Sequence, residues 1–230
     1  MKIRALAFDL DNTLWDVEPV IARAEQRLLD WLRVHWPRIP ERFSLEEMRA
    51  ARARLAREEP AHAHDFNYLR TESMARHACD CGYARSVGDA AFEVFFAARN
   101  DLETFPDVRP ALAQLRSRYV LATLSNGNAD LGRIGLSGLF TVSLNSRVVG
   151  VAKPDPRAFE ALVAALGLAP REVAYVGDDP YIDVEGARSA GLRAIWMNRI
   201  NAVWPETIAP AELAVRDCAE LAAALLDPAR

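Results

Sequence analysis

Apolar and polar positions follow two different rhythms along this 230-residue chain. Ile3 to Phe8 is a short, almost wholly apolar run, as in a strand buried on both faces of a parallel sheet. From residue 16 to about 103 the spacing turns helical. Val20, Ile21, Ala24, Leu28, Leu32 and Trp36 recur near a 3.6-residue period. Ser44 with Glu47 three residues on forms a capping box ahead of another helix. Further helices are expected over 65–81 and 88–100, with Gly82 as the break between them. From about residue 105 the rhythm becomes strand, loop, helix. Apolar runs stand at 119–124, 139–144, 173–176 and 193–197, and a shorter one at 213–217 suits an edge strand. Asp155, Pro156 and Gly167 punctuate one intervening helix as N-cap, first residue and stop, and Asp179, Pro180 and Gly191 repeat that grammar.

Alternating strands and helices predict an α/β fold with a doubly wound parallel sheet. The helical block interrupts this core directly after its first strand. The expected division is therefore residues 1–15 and 104–230 as an α/β core, Rossmann-like in form, and 16–103 as an inserted all-helical cap domain.

Composition narrows the partners. With 28 basic against 32 acidic residues the net charge is -4, which gives no electrostatic case for nucleic acid or an anionic membrane. The apolar run before Asp9 is too short for a secretory signal, and no stretch approaches the ~20 apolar residues of a membrane span. Three cysteines, an odd number, suit a reducing cytosol. A cytoplasmic location is expected, and the oligomeric state is left open.

Chemistry concentrates where strands end, the place where open α/β sheets bind ligands. Asp9 and Asp11 follow the first strand, and Thr13 stands in the same loop. Ser125, Asn126 and Gly127 follow the second. Gly177, Asp178 and Asp179 follow the fourth, with Asp183 shortly after, and Lys153 precedes a helix start. Each group alone has a plain explanation as a polar turn, a helix cap or a surface lysine. Together they form a hard oxygen-donor set with one cation. Mg²⁺ uses few carboxylates and often a substrate phosphate, and the clustered acids would resist joint ionisation without a counter-ion. Asp9 and Asp178 suit the metal; Lys153 and Ser125 suit phosphoryl oxygens. His62 and His64 read as a solvated loop, Cys79 and Cys81 as idle thiols, and Trp31 and Trp36 as packing.

The set Asp9-x-Asp11-x-Thr13, Ser125, Lys153 in "AKPDP" and "GDDPYID" resembles, in order, the four motifs of the haloacid-dehalogenase superfamily. Ile182 stands where some members carry Asn. The resemblance implies a mechanism. Asp9 is the nucleophile that forms an aspartyl-phosphate, and Asp11 the general acid and then base. Asp9, Asp178 and the main-chain carbonyl of Asp11 hold Mg²⁺. Ser125, Asn126 and Lys153 bind the phosphoryl group. Asp183 orients metal-bound water or Lys153, and Thr13 fixes the loop. An acid at position 11 points to phosphoryl transfer, since displacing halide from carbon needs no protonated leaving oxygen. "SNGNADL" and neighbouring segments are similar to bacterial flavin mononucleotide phosphatases, a group that also dephosphorylates 5-amino-6-(5-phospho-D-ribitylamino)uracil. The expected activity is thus a Mg²⁺-dependent phosphatase of a small phosphorylated metabolite. A phosphomutase, a dehalogenase and a non-catalytic phospho-accepting module are the alternatives. Trp15 and Tyr68 are candidates for facing a planar substrate ring.

Overall fold

A computed structural model describes residues 2–226 of the chain. Six strands, β1 (Ala5–Phe8), β2 (Val120–Ser125), β3 (Val142–Asn145), β4 (Val173–Gly177), β5 (Arg193–Met197) and β6 (Leu213–Val215), form one sheet in the order 3-2-1-4-5-6. Every pairing is parallel. This is the doubly wound arrangement, and the strand order reverses beside β1, between its neighbours β2 and β4. Strand β1 is buried on both faces, as its continuous apolar run predicts: Ala5, Leu6, Ala7 and Phe8 are all fully covered. On one face Ala5, Ala7, Leu124, Val173 and Tyr175 meet Ala158, Phe159 and Leu162 of the helix Pro156–Leu166.

The expected caps are present. Asp155 accepts the Arg157 N–H, Pro156 opens the helix, and Gly167 closes it at a φ of 64°; such an N-cap contributes ~1 kcal/mol. Strand β3 begins later than its apolar run suggests, because Ser137–Leu139 form a 3-10 turn first. The segment after Asp179 also departs from expectation. Pro180–Glu185 is a π-helical turn, followed by a short α-helical one at Gly186–Ser189. The Asp179 carbonyl accepts from both Asp183 N–H and Val184 N–H, a widened turn of the kind found at functional sites.

The chain divides into two compact units. Among the described residues, one comprises 2–16, 103–127 and 131–226, and contains the sheet. The other comprises 17–102 with Asn128, Ala129 and Asp130. It holds the helices Val17–His35, Leu45–Glu58, Phe66–Asp80 and Val87–Arg99, around a core of Leu28, Leu32, Met48, Met74 and Phe95. Ser44 makes the capping box with Glu47, and Trp31 and Trp36 pack on this core. Residues 128–130 side with the helices for a local reason that periodicity does not reveal. Asn128 bridges Arg99 and Asn67, and the Asp130 N–H bonds Asn100 Oδ1 at 2.7 Å.

Candidate active site

The site lies in the sheet-containing unit, at the carboxyl ends of β1, β2 and β4. The Asp9 N–H continues the ladder to the Val176 carbonyl at 2.8 Å, and the chain then leaves the sheet in a tight loop. Asn12 takes a φ of 59°, which its short polar side chain tolerates. Leu14 N–H returns to the Leu10 carbonyl, and Asn12 N–H reaches the Trp15 carbonyl. This loop turns Asp9 inward, 6% exposed.

Lys153 is the hub. Its ammonium, buried, donates to Asp9 Oδ1 at 2.6 Å, Asp183 Oδ1 at 2.6 Å and the Tyr175 hydroxyl at 2.7 Å. Tyr175 in turn donates to the Leu124 carbonyl at 2.5 Å. Asp183 Oδ2 accepts the Asp179 N–H at 3.1 Å, so the π-turn presents one carboxylate oxygen to the lysine and the other to its own cap. Gly177 is required by this packing, since a Cβ there would stand 2.4 Å from the Asp183 carboxylate. Oxygens of Asp9, Asp178 and Asp183 all lie within 4.8 Å of one another. The Asp11 side chain is outside that triad; its Oδ1 accepts the Trp15 indole N–H at 2.7 Å.

The electrostatics follow from three carboxylates about one ammonium. Burial pushes the Asp9 carboxyl up to about 8; Lys153 opposes the shift, and Asp183 and Asp178 add to it. Burial, then Asp183, raises Asp178 to about 6. For Lys153 burial acts downward, but Asp183 and Asp9 outweigh it and hold the ammonium well above its ordinary value. Three carboxylates crowded about one ammonium thus resist joint ionisation, on oxygen donors alone. That donor set fits a hard divalent cation such as Mg²⁺.

Around this centre the expected residues take distinct places. Ser125, buried at the end of β2, accepts the Gly127 N–H at 3.0 Å. The Asn126 side chain is spent on the main chain of Lys153, accepting its N–H at 2.8 Å and donating to its carbonyl at 2.9 Å. The group of Asn126 left to meet a phosphate is its main-chain N–H. Thr13 Oγ1 donates to Asp178 Oδ1 at 3.3 Å. Trp15 is fully buried, so it braces Asp11 and cannot face a substrate ring. The Tyr68 hydroxyl is held by Glu59 at 2.5 Å.

Sequence reasoning misses three supporting residues. Besides Tyr175, Trp196 donates from its indole to the Asp178 carbonyl at 2.8 Å. Arg199 Nε donates to the Thr13 carbonyl at 2.8 Å, while its other nitrogens grip Asp107. A tyrosine inside an otherwise apolar strand was a legible signal, because a buried hydroxyl needs a partner. Nothing in the local pattern marks Arg199.

Comparisons with known proteins bear on this geometry. Residues 3–191 match the family model of the haloacid dehalogenase-like hydrolases. The chain belongs to that family. Among its relatives, 5-amino-6-(5-phospho-D-ribitylamino)uracil phosphatase YigB of Escherichia coli is 31% identical over 87% of this chain and 85% of its own length. A phosphoserine phosphatase of Thermus thermophilus is 45% identical, but the match spans only 46% of this chain and 45% of that protein. The crystal structure of a 2-haloacid dehalogenase from Pseudomonas syringae superposes with a TM-score of 0.90 at 34% identity, covering 95% of this chain and 96% of that one. Membership of this hydrolase family thus leaves two chemistries among its relatives, and the site residues must separate them.

Proposed function

We propose that this haloacid dehalogenase-like hydrolase is a cytoplasmic, Mg²⁺-dependent phosphatase of a small phosphomonoester. The observation that carries the reading is the acid triad of Asp9, Asp178 and Asp183, two of whose members share Lys153, with a further acid, Asp11, two residues after Asp9. A haloacid is itself an anion and its halide leaves without a proton. An acid two residues after the nucleophile would then have no task, and three crowded carboxylates suit a divalent cation that carries a phosphate, which displacement of halide from carbon does not need. Both features suit phosphoryl transfer to water. No helix among the described residues is long and apolar enough to cross a membrane.

Asp9 supplies the nucleophilic oxygen, and its burial keeps competing water away from the bond it forms with phosphorus. Lys153 holds that carboxylate in place and offers charge to the phosphoryl oxygens as negative charge develops. Ser125 and the main-chain N–H of Asn126 are placed to donate to the same oxygens. Asp11, steadied by the Trp15 indole, gives a proton to the leaving oxygen and later takes one from water. Asp9, Asp178 and the Asp11 carbonyl would hold Mg²⁺, which when bound supplies charge neutralisation for the phosphate. Asp183 keeps Lys153 oriented. The likeness to YigB makes phosphorylated flavins and ribityl compounds the first substrates to try.

Purified protein with Mg²⁺ is expected to release phosphate from p-nitrophenyl phosphate and flavin mononucleotide, and to lose that activity in EDTA. Asp9→Asn should abolish it. Chloride release from 2-chloropropionate without phosphate release would overturn the reading, as would full activity in Asp9→Asn. Release of inorganic phosphate without any bisphosphate primer separates hydrolase from mutase.

A further inference from the structure

The helical unit buries a second concentration of charge that the candidate active site does not use. Glu25, 2% exposed, lies on the helix Val17–His35 and serves several arginines. Arg49 pairs with its Oε2, through Nε at 2.8 Å and through Nη2. Arg52 Nη2 donates to its Oε1 at 2.8 Å. Arg70 Nη1 approaches the same oxygen only to 3.7 Å. Arg99, 1% exposed, bonds Asn128 and adds its charge to that acting on Arg70. Three guanidiniums from two helices, Leu45–Glu58 and Phe66–Asp80, thus converge on one carboxylate.

Arg70 is the least satisfied of them. Its side chain is 17% exposed and carries five N–H donors, yet its guanidinium hydrogen-bonds no described residue. It lies flat over the Phe95 ring, 3.5 Å from the centroid. Burial, then Arg52, pulls its guanidinium down to about 9, the mark of a cation short of counter-charge. Arg52, 18% exposed, and Arg70 both line a cavity of about 260 Å³ whose other walls include Ala56, Phe66 and Leu69. An excess of partly buried arginine is costly to keep in a helical bundle, and planar guanidiniums of residues that line one cavity match a tetrahedral oxyanion.

We propose that this cavity is an oxyanion site in which Arg52 and Arg70 bind a phosphate dianion, free or carried on a short carbon skeleton against the apolar wall. A dianion is favoured over a carboxylate because it offsets more of the surplus charge. The site holds whether or not the sheet-containing unit hydrolyses phosphate.

The test uses the full-length Asp9→Asn protein without Mg²⁺, so that nothing is turned over. Inorganic phosphate, propyl phosphate, acetate and chloride are titrated at constant ionic strength while the arginine Nε–H resonances are followed by NMR. Phosphate is expected to shift Arg52 and Arg70 along saturating curves with half-saturation near or below about 1 mM. Loss of one charge-assisted contact in Arg70→Gln should weaken this by about tenfold or more. Propyl phosphate binding more tightly than inorganic phosphate assigns the site to an esterified ligand; the reverse assigns it to the free ion. Arg52→Lys keeps the charge but not the fork, and gives the same comparison if Arg70→Gln does not fold. Equal, unsaturating drifts with phosphate and chloride would overturn the proposal. So would phosphate curves unchanged in both variants.

Discussion

Each unit of the molecule encloses charge, and the two do so with opposite sign. In the sheet-containing unit one lysine is shared by Asp9 and Asp183, with Asp178 beside them. In the helical unit one glutamate is shared by Arg49, Arg52 and Arg70. Neither cluster closes its own charge balance. A structural ion pair has no need of surplus, because it is most stable when its charges and hydrogen bonds are matched. An imbalance kept in a packed interior points to a ligand of the missing sign: a cation for the carboxylates and an anion for the guanidiniums. The comparison also teaches how each imbalance is held. Strand ends and a π-turn fix the acids through main-chain geometry. The arginines instead reach in on long side chains from two helices.

The hardest way to break this symmetry is to remove each hub. Lys153→Met leaves Asp9, Asp178 and Asp183 without their buried cation. It should cost ~3–5 kcal/mol in chemical denaturation. Activity should also fall by at least ~10³-fold, since electrostatic and positional roles are lost together. Glu25→Gln is the mirror experiment. It should cost a similar ~3–5 kcal/mol, and added phosphate should restore more of the loss than equal ionic strength of chloride. Equal rescue by both salts would reduce the arginine cluster to a packing feature.

Gly177→Ala tests whether main-chain geometry positions the acids. Its Cβ would meet the Asp183 carboxylate, and overpacking of this kind costs ~1–3 kcal/mol. Activity should fall by about 10²-fold, since displacement of a positioned group by ~1 Å has that scale. Wild-type kinetics in this variant would detach Asp183 from the reaction.

The smallest effect concerns the clamp on the loop that follows β1. Burial acts upward on Asp107, but its bonds to Arg199 and to the Cys218 N–H win and hold its carboxyl below the ordinary 3.8. A depressed folded value means stability that is fully present above pH 4 and is lost as pH falls below it. Subtracting Asp107→Asn from wild type should therefore give a stability difference that is constant above pH 5 and shrinks towards pH 2. A difference independent of pH would show that the clamp does not depend on that charge.

Much of the fold was open to reading before any coordinates. The run from Ile3 to Phe8 announced a strand buried on both faces, and Asp155, Pro156 and Gly167 marked a helix at both ends, because local conformational preferences act over a few residues. The separate polar clusters at strand ends could be joined because a parallel sheet sends all those ends to one edge. The supports were less accessible. Trp15 looked like a ligand contact but is a buried brace, and Arg199 reaches the Thr13 carbonyl from a segment with no distinguishing pattern.

Chain order and residue chemistry alone settled the succession of strands and helices, and they singled out the acids, the serine and the lysine proposed here to attack, protonate and bind. These are decided by near neighbours and by the bonds each side chain can make. Only the folded chain decided which groups share a carboxylate or an ammonium, how deeply they are desolvated and where charge is left over. Such quantities depend on distances between residues as remote as Asp9 and Lys153 or Glu25 and Arg70, and no local rule specifies those distances.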